Sequence, residues 1–580
     1  MKDFWKMLLA VICGLILFTF IAIFIISGAA SAAGAAGAGK KVLPRSGVLA
    51  IDMSSFMLTE QAAPDAGLGG ISLAGGVGVP SVGMLQATRA LKAAAEDPGV
   101  KFIYLKTDGN LSSLASLEEF RKALSDFRRS GKPVIAYIES PGTGSYWLAS
   151  VADKVYMTEY QGATITMNGV SMQSIFMKDL LDKLGVNVQL IRHGRYKSAG
   201  EMFTRNASSE DNTMQYQALV NSMWSIIRRD IAAAREISEE ALDSAIDNLE
   251  LCLPSDFMTA HLADDLLSRR ELKEKITALA VADKFEDVSF IPFQDYAAVK
   301  GLPAYKGKNK IAVIYADGEI IDGRGFTDVS GDRFAAIIDK VCADSSIKAV
   351  VLRVNSPGGS VLASEKIKNG LDELREYKPL IASYGGYAAS GGYWISNNCD
   401  KIFTDATTLT GSIGVFGMVP DLSKTTKKVL GVNIQSFSSG KHGDMYSLMR
   451  PFDTAEYNYM LRSIETIYDL FTTTVSEGRG IPKETVDEVG QGRVWTGSDA
   501  LGINLVDEIG TLHDAIDYAV LRVDGVSDED VAIMEYPVPL TPLEQFKNMV
   551  GGSGSREDQF VKLLKKPAVV ARMPYEITVF

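Results

Sequence analysis

Two glycine-rich turns in the C-terminal half of the chain have the composition of a nucleophile and its oxyanion donors. Ser390 lies in the run Ala388–Trp394, where small residues precede it and two glycines follow it. Such neighbours leave a serine hydroxyl accessible to a substrate, although a serine at a helix start also serves as an N-cap. Asn355–Ser360 places Gly358 and Gly359 between an apolar run and a helix, where backbone N–H groups can bind an oxyanion or simply form a tight turn. No Gly-Lys-Ser/Thr follows, which excludes a phosphate-binding loop.

A serine nucleophile needs a base, and the sequence offers few. Histidine is the usual base, but His442 is the only histidine near Ser390 along the chain, and nothing around it forms a triad. A lysine can act instead if burial lowers its pKa and leaves it neutral. Lys197, in the stretch Gly194–Gly200 of the N-terminal half, is the candidate, against the default of a lysine on the surface.

The composition bounds the class of protein. The chain has 580 residues, of which 46% are hydrophobic and 22% charged, as expected of a globular protein with several domains. Its formal charge of −12 argues against a dedicated nucleic-acid binder. The 4 cysteines form no Cys-x-x-Cys pair and the 4 histidines are scattered, which argues against a disulfide framework and a zinc site. We therefore expect no metal, no other cofactor and no nucleic-acid partner.

An internal repeat organises most of the chain. Five short motifs of the N-terminal half recur in the same order in the C-terminal half, at the spacing that separates Asp97 from Asp344, to within one residue. In both halves short apolar runs alternate with amphipathic helices, which predicts an α/β domain with a mostly parallel sheet. We expect domains over residues 46–300 and 301–545, followed by a tail over residues 546–580. The predicted strands are Val48–Asp52, Phe102–Leu105 and Val134–Ile138, then Lys310–Tyr315, Ala349–Val354 and Leu380–Ser383. The predicted helices are Met84–Ala95 and Leu117–Ser130, then Asp332–Ala343 and Glu365–Tyr377.

The N-terminus has the pattern of a membrane anchor. Met7–Ile26 contains no charged residue and is long enough as a helix to span the ~30 Å hydrocarbon core of a bilayer. It exceeds the apolar core of a cleavable signal peptide, so an anchor over residues 1–27 is favoured over cleavage in the following Gly/Ala tract. Residues 28–45 then form a tether. Lys2 and Lys6 favour an N-terminus inside the cytoplasm and the bulk of the chain outside it.

At these residues the chain resembles the signal peptide peptidase A family, in its long, two-domain protease IV form. The specific motifs are Asn355–Ser360, Ala389–Trp394, Thr410–Gly414 and Arg195–Ala199. The resemblance implies a tandem duplication of a Clp-protease/crotonase-like domain and a Ser–Lys dyad shared between the halves. By motif, Ser390 is then the nucleophile and Lys197 the general base. Gly391, together with Gly358 or Gly359, would form the oxyanion hole.

The resemblance also implies a biological role. The family members are serine endopeptidases that degrade cleaved signal peptides and other apolar peptides, and they assemble as homotetramers. For this chain we expect a single-pass protein of the bacterial inner membrane, with the catalytic body on the periplasmic side. Two alternatives from other classes are a crotonase-type acyl-CoA enzyme, because fold does not fix function, and an inert membrane scaffold.

Overall fold

The computed structural model describes residues 42–62, 79–110, 112–302, 307–326, 328–523, 525, 530–539 and 569–573. The predicted anchor over residues 1–27 lies outside these residues, as do most of the predicted tether and most of the predicted tail. Within the described ranges, no helix has both the length and the apolar character needed to cross a membrane.

The N-terminal half consists of short strands alternating with helices. Its strands are β1 (Gly47–Asp52), β2 (Met57–Thr59), β3 (Ser81–Gly83), β4 (Val100–Lys106), β5 (Val134–Ile138), β6 (Lys154–Thr158), β7 (Asn187–His193), β8 (Asp265–Leu267) and β9 (Phe290–Pro292). Its helices are α1 (Met84–Glu96), α2 (Leu114–Arg128), α3 (Thr143–Ala149), α4 (Lys178–Leu184), α5 (Glu201–Thr204), α6 (Glu210–Arg235), α7 (Glu239–Asp247), α8 (Pro254–Thr259), α9 (Arg269–Ala280) and α10 (Phe293–Lys300). A 3₁₀ turn covers Phe285–Asp287.

The C-terminal half repeats this alternation and adds further strands. Its strands are β10 (Asn309–Asp317), β11 (Ile320–Ile321), β12 (Val329–Ser330), β13 (Ile347–Ser356), β14 (Gly358–Ser360), β15 (Leu380–Ala389), β16 (Lys401–Thr404), β17 (Leu409–Gly411), β18 (Val415–Asp421), β19 (Val494–Thr496), β20 (Glu508–Ile509), β21 (Val531–Tyr536) and β22 (Val569–Arg572). Its helices are α11 (Gly331–Ala343), α12 (Val361–Tyr377), α13 (Gly391–Trp394), α14 (Thr454–Arg479), α15 (Lys483–Val489), α16 (Gly497–Gly502) and α17 (Leu512–Leu521). A π-helical turn covers Thr425–Val429.

The duplication is visible in the order of the strands. The sheet of the N-terminal half runs β8-β6-β5-β4-β1-β9, with every neighbouring pair parallel. In the C-terminal half the order β20-β16-β15-β13-β10-β21 repeats it, again with parallel pairs. The predicted mixed α/β architecture of two tandem domains is therefore confirmed.

Helices cover both faces of the C-terminal sheet, which explains its continuous apolar strands. In β10, Ala312 and Ile314 pack on one side in the core that contains α11 and α12. Ile311 and Val313 point to the other side, where they pack with Ile516 and other residues of α17. Successive side chains of a strand point to opposite faces, so a strand buried on both faces cannot alternate with polar residues.

Helix starts differ from prediction where a serine caps the helix. The helix predicted over Leu117–Ser130 is α2, Leu114–Arg128, because the Ser113 side chain accepts a hydrogen bond from a backbone N–H of its first turn. The helix predicted over Glu365–Tyr377 already begins at Val361, one residue after the capping Ser360.

A third sheet joins the two halves. Its order is β12-β11-β14-β22-β18-β7, and β7 is its one strand from the N-terminal half. β7 pairs antiparallel with β18, from Asn187 opposite Asp421 to His193 opposite Val415. This pairing carries the residues that follow β7 into the C-terminal half, beside the end of β15.

Candidate active site

Ser390 lies in a sharp turn between β15 and α13. Its backbone has φ 57° and ψ −114°, and its side chain makes no capping hydrogen bond to the helix. Ser390 therefore occupies the N-cap position of α13 without the side-chain hydrogen bond of a capping serine. A positive φ at a non-glycine residue costs of order 1–3 kcal/mol and recurs where a strand-to-helix turn presents a nucleophile. The glycines that follow are required sterically, since a Cβ on Gly392 would lie 2.6 Å from the Ser356 carbonyl oxygen.

Lys197 follows β7 and is fixed by a turn of the other half. The Tyr196 N–H donates to the carbonyl oxygen of Gln491 at 2.9 Å. A Cβ on Gly492 would lie 2.6 Å from Lys197 Cβ, so only glycine allows this turn to pack so closely on the lysine. Lys197 is completely buried as a result.

The lysine amine is within hydrogen-bonding distance of three oxygen atoms. Lys197 Nζ lies 2.7 Å from Ser390 Oγ, 3.0 Å from Ser412 Oγ and 3.1 Å from the Ser412 carbonyl oxygen. Burial lowers the pKa of Lys197 well below its ordinary value of 10.5. These three oxygen atoms can satisfy either form of the amine, and the burial of the group is what favours the neutral form over the ammonium.

Ser412 is a residue of this site that the sequence pattern did not single out. It lies in the motif Thr410–Gly414, which served only to identify the family. Its φ is 51°, and its N–H donates to the Arg493 carbonyl oxygen at 2.7 Å. The signal available in the sequence was a serine in the run Gly411-Ser-Ile-Gly414, which begins at the end of a short strand. Its side chain is fully buried against the lysine.

The two glycine-rich turns face each other as expected of a nucleophile and an oxyanion site. A Cβ on Gly391 would lie 3.2 Å from both Gly358 Cα and the Gly359 nitrogen. Gly391 opens α13, where backbone N–H groups have no partner within the helix. The Gly358 N–H donates to Ser356 Oγ at 3.2 Å. Gly359 has a positive φ and abuts the Ile320 carbonyl oxygen, so no larger residue fits there.

His442 belongs to a separate ion-pair cluster. Its Nδ1 lies 2.9 Å from Glu456 Oε1, and the Arg450 guanidinium lies 2.7 Å from the same carboxylate. The hydrogen bonds from Arg450 are the largest cause that lowers the pKa of Glu456 to about 2. His442, Asp453 and Glu456 bring possible metal ligands within 4.8 Å of one another. Arg450 already supplies the positive charge there, so this cluster is better suited to ion pairing than to holding a metal.

A buried charge cluster fixes one half against the other close to the site. Arg353, in β13, lies 2.6 Å from Glu60 and 2.6 Å from Glu119, both from the N-terminal half. Burial raises the pKa of Glu119, and it raises that of the neighbouring Asp405 well above its usual range. The acids of this cluster outnumber its cation, so part of their negative charge is not balanced by Arg353. β13 continues from Arg353 directly to the glycines of β14.

Comparisons with known proteins agree with the duplication. A family profile described as Peptidase family S49 matches residues 126–283 and again residues 372–524. The chain is 34% identical to Protease 4 of Haemophilus influenzae over 516 residues, which cover 84% of this chain and 81% of that protein. It is 36% identical to Protease 4 of Salmonella typhi over 438 residues, which cover 74% and 70%. It is 30% identical to a chloroplastic serine protease SPPA of Arabidopsis thaliana over 481 residues, which cover 81% and 70%.

Proposed function

The chain belongs to peptidase family S49 and is a serine protease, and from this premise we propose that Ser390 and Lys197 are its catalytic dyad. The observation that carries the proposal is the 2.7 Å distance between Lys197 Nζ and Ser390 Oγ in a site where burial lowers the pKa of the amine well below 10.5. Family membership leaves no support for a crotonase-type acyl-CoA enzyme or an inert scaffold.

The mechanism is acyl transfer in two steps. Neutral Lys197 accepts the Ser390 hydroxyl proton while Oγ bonds to the carbonyl carbon of the scissile peptide. The carbonyl electrons move onto its oxygen, which receives hydrogen bonds from the N–H of Gly391 and of Gly358 or Gly359. The lysine ammonium then protonates the leaving nitrogen as the C–N bond breaks, giving an acyl-enzyme and a free amine. Water, deprotonated by the same lysine, releases the acid product and restores Ser390.

Ser412 positions the base in this mechanism. Its hydroxyl and carbonyl oxygens accept from the two N–H bonds of the neutral amine, which leaves the nitrogen lone pair directed at Ser390. Burial is the cause of the lowered pKa of Lys197, and a carboxylate beside the amine would have raised that pKa instead. A base that depends on desolvation requires a site closed to water.

The proposed substrates are signal peptides and other apolar peptides. An apolar cluster lies beside the nucleophile and combines Leu219 and Met223 of α6 with Ala389, Leu409 and Val494 of the C-terminal half. An apolar environment of this kind favours apolar side chains and disfavours charged ones. The uncharged segment Met7–Ile26 supports a single-pass anchor that holds the protease at a membrane where such peptides accumulate. We place the catalytic body on the periplasmic side of a bacterial inner membrane.

The proposed assembly is a homotetramer. An exposed segment between β18 and α14 shows several large apolar side chains to solvent, namely Val429, Leu430, Val432, Ile434 and Phe437. Contiguous exposed apolar surface of this kind favours association with another copy of the chain. Light scattering of the purified protein tests this assembly, and a monomer at micromolar concentration would contradict it.

The function is tested by labelling and turnover together. Full-length protein in detergent and a chain that begins at Lys40 are both treated with a fluorophosphonate and assayed on an apolar signal peptide and on a charge-rich peptide of equal length. We expect label on Ser390 and preferential cleavage of the apolar peptide by both proteins. We expect Ser390→Ala to abolish both the labelling and the peptide cleavage. The control is Ser396→Ala, which removes another buried hydroxyl shortly after Ser390 in the chain and should retain both. Equal cleavage of the two peptides would contradict the proposed substrate class.

A further inference from the structure

A buried carboxylate follows the lysine base closely along the chain. Glu201 is the first residue of α5, and its side chain is almost completely buried. The Arg192 guanidinium, at the end of β7, donates to this carboxylate at 3.1 Å and to the Lys197 carbonyl oxygen at 2.9 Å. One arginine therefore joins the carboxylate to the backbone of the lysine itself. The steps of acyl transfer use neither of these two side chains.

The same carboxylate fixes the start of α6. Ser209 donates to Glu201 through its backbone N–H at 3.1 Å and through its hydroxyl at 2.8 Å. The side-chain amide of Asn212, which is also buried, donates to Glu201 at 3.3 Å. Each carboxylate oxygen thus accepts two hydrogen bonds. Because a buried donor without a partner is unfavourable, the carboxylate holds its neighbours in one arrangement.

Helix α6 extends this connection into the C-terminal half. The Gln215 amide donates to Asn212 Oδ1 at 3.4 Å, and its carbonyl oxygen accepts from the Val494 N–H of β19 at 2.8 Å. β19 pairs antiparallel with β17, the strand that leads directly to Ser412. A series of hydrogen bonds therefore runs from the Lys197 carbonyl oxygen to the strands that carry Ser412.

We propose that Glu201 is a positioning residue for the lysine base, which holds the Lys197 backbone through Arg192 and ties it to the C-terminal half through α6. The proposal rests on the proposed function, because it takes Lys197 to be the base. The lysine amine itself faces the uncharged oxygen atoms of Ser390 and Ser412. The carboxylate therefore acts on the place of the lysine in the site and not directly on its charge.

This network keeps the turn that carries Lys197 closed to water. Burial is the cause that lowers the pKa of Lys197 well below 10.5. If the turn loosens, water reaches the amine, the charged form is favoured and the pKa rises. A network that only stabilised the fold would change the fraction of folded protein and leave this pKa unaltered in the molecules that remain folded. The position of the basic limb of the activity profile therefore separates the two roles.

The test compares pH profiles of peptide turnover in the full-length protein. Glu201→Gln keeps the shape of the side chain but replaces one acceptor oxygen with an NH₂ group that faces other donors. We expect the midpoint of the basic limb to rise by about one pH unit, with KM unchanged. This shift lowers kcat about tenfold at pH values below both midpoints and leaves it unaltered above them.

The chain offers a matched control in the C-terminal half. Glu456 is also a buried carboxylate, lies in the first turn of α14 and is paired with Arg450 at 2.7 Å. Glu456→Gln should therefore lose stability in the same way as Glu201→Gln. Since this pair has no hydrogen bond to the Lys197 backbone, we expect the control to keep the midpoint of the unmodified protein.

A double variant tests the connection through Arg192. Arg192→Met combined with Glu201→Gln removes both charges, so no unpaired charge stays buried even if the single variant folds poorly. Because both side chains act on Lys197 through one contact, we expect the double variant to shift the midpoint by about one pH unit as well. A shift of about two units would show independent effects and would overturn this connection.

Two readouts separate this inference from the proposed function. An unchanged midpoint in both Glu201→Gln and the double variant, or an equal shift in Glu456→Gln, overturns the inference. Fluorophosphonate label on Ser390 in the same proteins then shows that the dyad itself stands. Turnover that persists in Ser390→Ala overturns the proposed function.

Discussion

Lys197 Nζ lies 2.7 Å from Ser390 Oγ although the two residues are 193 positions apart and belong to different halves of a duplicated chain. The contact exists because β7 of one half pairs with β18 of the other and because the turn at Gly492 packs on the lysine. Each half alone contains only one member of the proposed dyad. Proteolytic activity therefore reports docking of the halves as well as folding of each.

Removing the lysine amine should abolish general-base catalysis while the fold survives. Lys197→Ala lowers kcat/KM by about 10²–10⁴-fold, the usual contribution of a general base. Lys197→Arg does not rescue, because a guanidinium stays protonated. The control is Lys378→Ala, another largely buried lysine, whose Nζ donates to the Val341 and Asp344 carbonyl oxygens. It should lose stability and keep its rate. Peptide turnover by a folded Lys197→Ala protein at the normal rate would refute the base assignment.

The lowered pKa of Lys197 predicts two pH dependences. Activity rises with pH along a single basic limb whose midpoint lies well below 10.5, because only the neutral amine accepts the serine proton. Stability also rises with pH between the folded pKa and 10.5, since the unfolded chain binds a proton there that the folded chain does not. Lys197→Met removes this part of the slope. The test is to measure the urea midpoints of the unmodified protein and of Lys197→Met across this pH range. If the two midpoints change in parallel with pH, the prediction is refuted.

The fold was predictable from sequence to the extent that local patterns determine it. Apolar runs such as β13 and the repeat of motifs around Asp97 and Asp344 are enough to predict two similar α/β halves. The strands β7 and β22 are different, because their pairing partners are far away along the chain. Neither has a local pattern that reveals its partner, so the sequence predicts neither the sheet that joins the halves nor the place of the tail.

The candidate site was predictable in part for the same reason. Ser390 and Lys197 stand in distinctive small-residue motifs, so their residue types and their neighbours along the chain are enough to single them out. Ser412 also lies in a small-residue motif, but its role depends on the position of its oxygen atoms relative to a lysine in the other half, which the motif does not reveal. The positive φ of Ser390 is likewise imposed by the strand and helix on either side of it.

Loss of the Ser412 hydroxyl should weaken the base without removing it. Ser412→Ala deletes one of the two oxygen atoms that accept hydrogen bonds from Lys197 Nζ. We expect this to raise the activation free energy by about 1 kcal/mol, which lowers kcat about fivefold and leaves KM unchanged. Because Ser412 has φ 51°, Ser412→Gly is the matched variant, since it removes the hydroxyl without strain. Both variants should show the same kcat. Recovery of the full rate in Ser412→Gly would show that strain, and not the hydroxyl, was responsible.

The internal repeat aligns Ser390 with a position in the N-terminal half that we predict to be catalytically inactive. Thr143 aligns with Ser390, and its Oγ1 donates to the Gly169 carbonyl oxygen at 2.9 Å. Lys441, close to the position that corresponds to Lys197, is exposed. Thr143→Ala should therefore cost about 1 kcal/mol of stability and leave peptide turnover within about twofold of normal, a change too small for loss of a nucleophile. A large loss of turnover in a folded Thr143→Ala protein would reveal a second active centre.

The ion-pair cluster around Arg353 should contribute more to the free energy that holds the two halves together than any surface ion pair does. Arg353→Met leaves Glu60 and Glu119 buried without their cation, which costs about 3–5 kcal/mol. The loss should be largest at high pH and shrink as pH falls, because the raised pKa of Glu119 allows it to be neutralised by a proton instead. Replacing both acids with glutamine in the Arg353→Met background removes the unpaired charges and should recover most of the loss. Urea unfolding followed together with peptide turnover checks this, and a stability loss in Arg353→Met that is independent of pH would contradict the electrostatic explanation.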